Sequence, residues 1–218
     1  IRTLNSASRI PVFTGMLYLR SMRKLLLFFL LTLSVSCFAG GENYHLGARS
    51  SAMGGASVTN IDIWSAHHNQ AALVLLQRPS AGLYYESRFL LKELGIGGFA
   101  FAMPTENGTF GVTATQFGYS QYNETKIGLN YGMALGRNFA LGIGLNYHGL
   151  RIAAEDYGNK TAFTAEIGML ARLNDELTVG VHIFNPSRTK LADFEDERIP
   201  TNFRLGFGYE VSEKVIFN

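Results

Sequence analysis

Residues 126–149 read KIGLNYGMALGRNFALGIGLNYHG, and this stretch decides the fold because it carries two conflicting patterns. Gly128, Gly132 and Gly136 lie four residues apart, which is the spacing of packed transmembrane helices. Apolar side chains also alternate one by one with small or polar ones, which is the period of a β-strand. Glycine disfavours a helix by about 1 kcal/mol per residue, so the alternation prevails. We therefore predict two strands joined by a turn at Gly136–Asn138.

The same alternation recurs from residue 79 to the end of the chain. Its clear runs are 126–135, 139–148, 163–173, 177–184 and 202–211, with less regular runs at 79–91, 94–103 and 109–119 and the start of another at 214–218. Tight connections alternate with other, mostly longer ones, and runs of about ten residues suit a tilted crossing of a bilayer. Soluble sandwiches also alternate, but their strands average about five to six residues. The pattern predicts an all-β, antiparallel up-and-down transmembrane β-barrel, with about eight to nine strands in this sequence.

The two faces of the predicted strands differ in side-chain size. Glycines and polar residues share one parity of the clear strands, and bulky apolar residues occupy the other. Large apolar side chains would fill the interior of a soluble barrel, so we expect the small, polar face to line a lumen and the bulky face to contact lipid. The predicted lumen-lining residues are Lys126, Asn130, Asn146, His148, Glu166, Arg172, His182, Arg204 and Glu210.

The first 39 residues have the pattern of an export signal. A basic pair precedes an apolar run at 25–33, and small residues follow up to Ala39. A membrane anchor needs ~20 apolar residues, so this shorter run predicts a cleaved secretory signal peptide. Translation would start at Met16 or Met22.

Charge and cysteine content limit the possible functions. Five of the 19 Lys and Arg residues lie within residues 1–39, so the remainder holds 14 basic and 17 acidic residues, a net charge of −3. Nucleic-acid binding then has no electrostatic basis. The single cysteine, Cys37, lies in the signal region, and a lipoprotein would need Leu where Ser34 stands. After cleavage, neither disulfides nor thiolate metal sites can form.

No motif predicts catalysis, a metal site or a cofactor. His67 and His68 lack further ligands at metal-binding spacing, so we expect them on a polar loop or surface. Gly95–Gly98 lacks the spacing of a nucleotide-binding loop, and no serine lies in a nucleophile elbow. We therefore predict a non-enzymatic protein without catalytic residues. The predicted lumen charges are expected to form ion pairs, with a selectivity filter, or a proton-linked role for His148 and His182, as alternatives.

A glycine-rich segment precedes the strands and carries a family resemblance. Residues 47–56 read GARSSAMGGA, and Trp64 and the sequence NQAAL at 69–73 follow. This segment resembles the entry segment of the PorV/PorQ-like branch of FadL-type outer-membrane proteins. In that family a G-A-R-x-x-x-M-G-G-A run precedes an acidic turn and a W-N-P-A-G-L-type motif. Gln70 stands where the motif has proline.

The resemblance implies a barrel of about fourteen strands whose N-terminal segment, residues 40–78 here, folds into the lumen as a hatch. The residues that match the hatch motif or replace its members are Gly47, Arg49, Met53, Gly54, Gly55, Trp64, Asn69 and Gln70. Because the chain begins without methionine and ends a few residues into a strand, we expect residues 79–218 to be an incomplete barrel.

The resemblance also implies a location and a function. Family members lie in the bacterial outer membrane, and they pass small hydrophobic molecules across it or serve type IX protein secretion. We expect the first role, with an accessory or scaffold part in secretion without solute transport as the alternative. A purely structural barrel is a third possibility. The expected partners are outer-membrane lipid, together with hydrophobic small molecules or secretion-system proteins.

Overall fold

The computed structural model describes residues 44–153, 158–190, 198–212 and 215–218. The predicted signal peptide, including Cys37, and the first residues of the predicted hatch lie outside these ranges. No helix in the described ranges is long and apolar enough to cross a membrane.

Within these ranges nine antiparallel strands form one sheet, and each pairs with the next along the chain. They are β1 (Ser80–Ser87), β2 (Gly95–Thr105), β3 (Gly108–Gly118), β4 (Tyr122–Leu135), β5 (Phe139–Ile152), β6 (Asn159–Arg172), β7 (Leu177–Phe184), β8 (Asn202–Ser212) and β9 (Val215–Phe217). This confirms the all-β, up-and-down architecture predicted from the alternation.

The opening stretch is the β4–β5 hairpin. The two strands pair from Tyr122 opposite Ile152 to Leu135 opposite Phe139, which leaves residues 136–138 as the turn. Gly136 adopts a φ of 76°, in the left-handed region that glycine enters without strain. Gly136 therefore serves the turn, which confirms the turn predicted at Gly136–Asn138.

β1 is shorter than the predicted run at 79–91. It ends at Ser87, and short 3-10 turns at Arg88–Leu90 and Lys92–Leu94 lead to β2. Phe89 and Leu90 have φ values of 54° and 58°, so the backbone leaves the extended conformation there. The sequence has neither glycine nor proline at this point, which is why the alternation extended the strand too far.

The two alternating sets of residues predicted from the sequence lie on opposite faces of the sheet. Leu129, Leu145 and Phe163 are 63%, 64% and 70% exposed on one face. On the other face Asn146 and Glu166 are 2% and 1% exposed. The apolar face is thus uncovered and the polar face is buried, which is the reverse of a soluble sheet that packs its apolar face into a core.

Residues 44–76, called here the covering segment, bury the polar face. The segment contains α1 (Ala48–Ala52), α2 (Ser65–His68) and a 3-10 helix at Gln70–Leu75. The 3-10 helix packs against β4, β5 and β6. Small apolar clusters form in this layer, one from Ala71, Ala72, Ala140 and Leu170 and another from Ala66, Leu73 and Ala102.

Glycines allow the covering segment to lie directly on the strands. A Cβ atom on Gly142 would clash with backbone atoms of Gln70 and Ala71, and one on Gly180 would lie 2.9 Å from Cγ1 of Val58. The glycines that face the covering segment in this way are Gly82, Gly98, Gly111, Gly132, Gly142, Gly144, Gly168, Gly180, Gly206 and Gly208. The sheet therefore fits this segment at the level of its backbone.

Gly132→Leu should loosen the covering segment. A Cβ on Gly132 would clash with the carbonyl oxygen of Gln70, and overpacking of this kind costs about 1–3 kcal/mol. We expect faster proteolysis of residues 44–76 in the assembled protein. Gly97→Leu is the matched control, because Gly97 lies on the outward parity of β2 and its nearest neighbouring atom would be 4.0 Å away. Equal protection of the two variants would contradict this packing.

Candidate functional site

Glu166 lies near the middle of β6 and points into the layer between the sheet and the covering segment. It pairs across the sheet with Gly144 of β5 and Phe184 of β7. A Cβ atom on Gly144 would lie 3.4 Å from both Glu166 Cβ and Gln70 Nε2, so glycine there leaves room beside the two side chains. Glu166 is 1% exposed, so its carboxylate must find its partners within the protein.

Four side chains donate hydrogen bonds to this carboxylate. Oε1 accepts from Lys126 Nζ at 2.7 Å and from Asn146 Nδ2 at 2.9 Å. Oε2 accepts from Gln70 Nε2 at 2.5 Å and from His182 Nε2 at 2.9 Å. Three of these donors belong to the sheet, and the fourth, Gln70, belongs to the covering segment. The carboxylate therefore joins the two layers through charge-assisted hydrogen bonds.

A second link between the layers runs through His182. Arg204 NH2 donates to His182 Nδ1 at 3.0 Å and to the carbonyl oxygen of His68 at 2.8 Å. Because Nδ1 accepts, the imidazole proton lies on Nε2, which donates to Glu166. His182 is thus a neutral link, and the ionised members of the cluster are Glu166, Lys126 and Arg204.

An apolar layer borders the cluster on the side of the longer loops. Lys126 Nζ lies 4.7 Å from the ring centre of Phe184, within the range of a cation–π contact. Phe184 packs with Ala162 and Ile199. His148 stands against the Phe184 ring, and its Nε2 is 2.8 Å from Thr164 Oγ1. The cluster is therefore closed towards this end as well as beneath the covering segment.

The structure brings together most of the predicted lumen-lining set. Lys126, Asn146, Glu166, His182 and Arg204 form the cluster, and His148 lies beside it. Asn130 is also buried on this face, at 4% exposure.

Arg172 and Glu210 do not join the cluster. Both have the inward parity, but both are exposed near the tight-turn ends of β6 and β8. Alternation along a strand gives the face of a residue and not its distance from the covering segment, so it could not separate these two residues from the others.

The glycines of the predicted hatch allow close turns around α1. Gly47 has a φ of 91° and lies beneath the ring of Trp64, where a Cβ would be 2.7 Å from Cγ. Gly54 and Gly55 follow α1 with φ values of 61° and 85°. The Trp64 ring also meets the Tyr84 ring of β1 edge to face at 5.9 Å. These residues shape the covering segment without entering the carboxylate cluster.

Asn69 and Gln70 join the covering segment to the sheet. The Asn69 side chain caps the 3-10 helix, and its Nδ2 donates to the carbonyl oxygen of Met169 on β6 at 3.1 Å. Gln70 reaches Glu166. Arg49 on α1 is exposed and Met53, which directly follows α1, is partly exposed, and neither is among the donors to Glu166. Of the predicted hatch residues, Asn69 and Gln70 are therefore the ones that belong to the candidate site.

His67 and His68 are buried, which corrects the expectation of a polar loop or surface. Each Nε2 donates to a carbonyl oxygen, that of Tyr44 at 3.0 Å for His67 and that of Leu46 at 2.8 Å for His68. Burial lowers the pKa of His68 to about 3, although its bond to Leu46 opposes this effect. Burial, reinforced by the charge of Lys126, holds the pKa of His67 well below its usual value. Their contacts come from 22 or more residues away, so the local sequence carries no sign of them.

The residues present do not form a recognisable metal centre. Across the described ranges, no group of three or more His, Cys, Asp or Glu side chains is placed to hold a metal ion. The donors around Glu166 form a hydrogen-bonded network that connects the covering segment to the sheet.

Comparison with known proteins gives an informative similarity to a solved structure. No protein-family model matches the sequence, and no curated protein matches it. A solved structure described as "CymD monoaromatic hydrocarbon channel" matches with a TM-score of 0.54 and 12% sequence identity. The match covers 80% of this chain and 67% of that chain. This similarity supports the β-barrel fold, and the PorV/PorQ branch stays a prediction from the entry segment.

Acid should loosen the covering segment through His68. His68 has a pKa of about 3 when the covering segment is docked and about 6.5 when the segment is released. Neutral His68 therefore makes its full contribution to docking above pH 6.5. This contribution is lost as the pH falls from 6.5 towards 3, because the released form binds the proton first, and the loss is about 2 kcal/mol at pH 5. Hydrogen exchange of residues 44–76, corrected for intrinsic rates, should therefore accelerate between pH 7.5 and pH 5.

His68→Gln is the control for this pH dependence. Glutamine keeps an N–H donor for the Leu46 carbonyl oxygen but does not titrate. The variant should show a smaller acceleration, with the remainder due in part to His67. An acceleration equal to that of the parent protein would contradict a role for His68.

Proposed function

We propose that this chain forms part of an outer-membrane barrel that passes small hydrophobic molecules, with the covering segment as a hatch in its lumen. The proposal includes no catalytic step. One observation carries it: the strands turn bulky apolar side chains outward and bury a polar face beneath the covering segment. On β5 alone, Phe139, Leu141, Ile143, Leu145 and Tyr147 are 36–64% exposed.

A lipid environment accounts for this apolar face. Soluble proteins rarely leave contiguous apolar patches of more than a few hundred Å² in water, since exposure costs ~25 cal/mol per Å². Lipid removes this cost, and the hydrogen-bonded ladders satisfy the backbone polar groups that lipid cannot. Exposed aromatic residues near strand ends, among them Phe139 and Phe203, suit the interfacial girdles of such barrels.

The choice of hydrophobic solutes rests on two supports. The entry segment resembles that of FadL-type proteins, and the structural neighbour with the shared fold is described as a monoaromatic hydrocarbon channel. In the structure the covering segment occupies the inner face at Gln70 and Glu166, both at 0–1% exposure. Passage at this level therefore requires the segment to shift. The secretion role remains an alternative that no contact among the described residues favours.

Leu145→Arg tests the membrane face. Leu145 is 64% exposed midway along β5, and arginine at the bilayer midplane of a barrel costs about 2–4 kcal/mol. We expect impaired assembly into phospholipid vesicles, measured by heat-modifiable migration on gels. Leu173→Arg is the control, since Leu173 is similarly exposed, at 58%, but lies beyond the end of β6. Equal assembly of both variants would argue for an aqueous or protein-covered face.

Uptake by liposomes tests the passage of solutes. The full-length protein that contains this chain is reconstituted with and without residues 47–76, and the entry of a small aromatic hydrocarbon is compared with that of a polar solute of similar size. We expect selective hydrocarbon entry with the segment and faster, less selective entry without it. Identical hydrocarbon flux in protein-free liposomes and in both proteoliposomes would overturn the proposed function.

A further inference from the structure

We propose that Glu166 is a positioning residue that holds the covering segment on the sheet, and that Gln70 is its counterpart. The inference uses the proposed function only in treating residues 44–76 as a segment that moves. The contact stands out because both partners are buried and one is ionised. Gln70 Nε2 and Glu166 Oε2 are 2.5 Å apart, on residues that are 0% and 1% exposed.

Other side-chain pairs that join the two layers are weaker anchors. Tyr44 donates to Glu124 at 3.4 Å in a partly buried site, and Ser51 pairs with Tyr84 in an exposed one. Thr59 and Asn60 bond to the Asn218 side chain without a formal charge. Among these side-chain pairs, the Gln70–Glu166 contact joins two buried residues of which one is ionised, and charge-assisted hydrogen bonds contribute more than neutral ones. The Arg204 bond to the His68 carbonyl oxygen is a second charge-assisted link between the layers.

The sheet holds the carboxylate in place for the covering segment. Lys126, Asn146 and His182 come from β4, β5 and β7, so three of the four donors to Glu166 are independent of the segment. If the segment left, Oε2 would lose one of its two donors while the carboxylate stayed fixed. Displacement of the segment therefore requires the separation of Gln70 from an anchored charge.

The covering segment also fixes the orientation of the Gln70 side chain. Its Nε2 donates to the Ala66 carbonyl oxygen at 3.3 Å as well as to Glu166, which orients the amide. Gln70 Oε1 has no hydrogen-bond partner among the described residues. The motif that the entry segment resembles has proline at this position, which lacks a side-chain donor. A glutamate in its place would bring a second carboxylate against Glu166 with no donor for its other oxygen.

A reciprocal exchange of the two side chains tests the contact. The reporter is Ser65→Cys in the full-length protein with Cys37 absent, since Ser65 is 1% exposed and the substitution is nearly isosteric. Maleimide labelling of outer-membrane vesicles at pH 7.5 then measures release of the covering segment. Gln70→Glu should raise the labelling rate roughly 10- to 100-fold through repulsion of like charges. The exchange Gln70→Glu with Glu166→Gln removes the like-charge repulsion and should bring the rate well below that of Gln70→Glu alone. The rescue is partial, because an amide N–H at position 166 then faces the His182 Nε2–H donor.

Two further variants make the result decisive. Glu210→Gln is the matched control, because Glu210 has the same inward parity but is exposed on β8, and its labelling should be unchanged. Gln70→Leu removes the donor without adding charge and should raise the rate less than Gln70→Glu does, which keeps the test open if the charged variant fails to assemble. Heat-modifiable migration checks that each barrel is folded.

The labelling result and the uptake result are independent. Parent-like labelling of folded Gln70→Glu, or labelling of the reciprocal exchange as fast as that of Gln70→Glu alone, would overturn the role of Glu166. A purely structural effect of residue 70 would not be reversed by a change at Glu166, so the rescue is specific to the pair. If the rescue holds and liposomes show no hydrocarbon uptake, the anchor stands and the proposed function fails.

Discussion

The close approach of the Gln70–Ala71 backbone to the glycines of β4, β5 and β6 is the constraint on which the rest of this structure depends. A methyl group at Gly142 would take the place of that backbone. With glycine there, the 3-10 helix lies directly on the strands, and the Gln70 side chain reaches the Glu166 carboxylate on β6. The glycines thus set the distance at which a neutral amide can meet a buried carboxylate.

The distribution of polarity follows from the same arrangement. A sheet that turns its bulky apolar side chains outward keeps only small apolar clusters on its inner face, so hydrogen bonds to the covering segment must stabilise that face as well. Each charge on that face then needs a partner, because an unpaired buried charge is costly. Lys126, Glu166 and Arg204 meet this need jointly, with neutral His182 between the carboxylate and the guanidinium. The cluster is therefore part of the packing of this layer as well as a candidate site.

Strand alternation predicted the sheet, the β4–β5 hairpin and most of the buried polar set, because these follow from a local two-residue period. What it missed depends on non-local contacts or on unusual backbone. Nothing in the sequence near Phe89 marks the left-handed turn that ends β1. The burial of His67 and His68 comes from carbonyl groups far away in the chain. The entry-segment resemblance selected Gln70, but only the three-dimensional structure shows that its partner is Glu166.

The length of the central strands determines how far the sheet extends along the membrane normal in the proposed setting. β4, β5 and β6 have 14 residues each. At ~3.3 Å per residue and a tilt of about 45°, such strands rise roughly 33 Å, whereas the apolar band of an outer-membrane barrel is about 25 Å tall. In the proposed setting the strands are taller than the apolar band, and this extra height places the polar start of β4, at Asn123–Thr125, among lipid head groups rather than acyl chains. The barrel would thus carry a hydrophilic collar on the side of its longer loops.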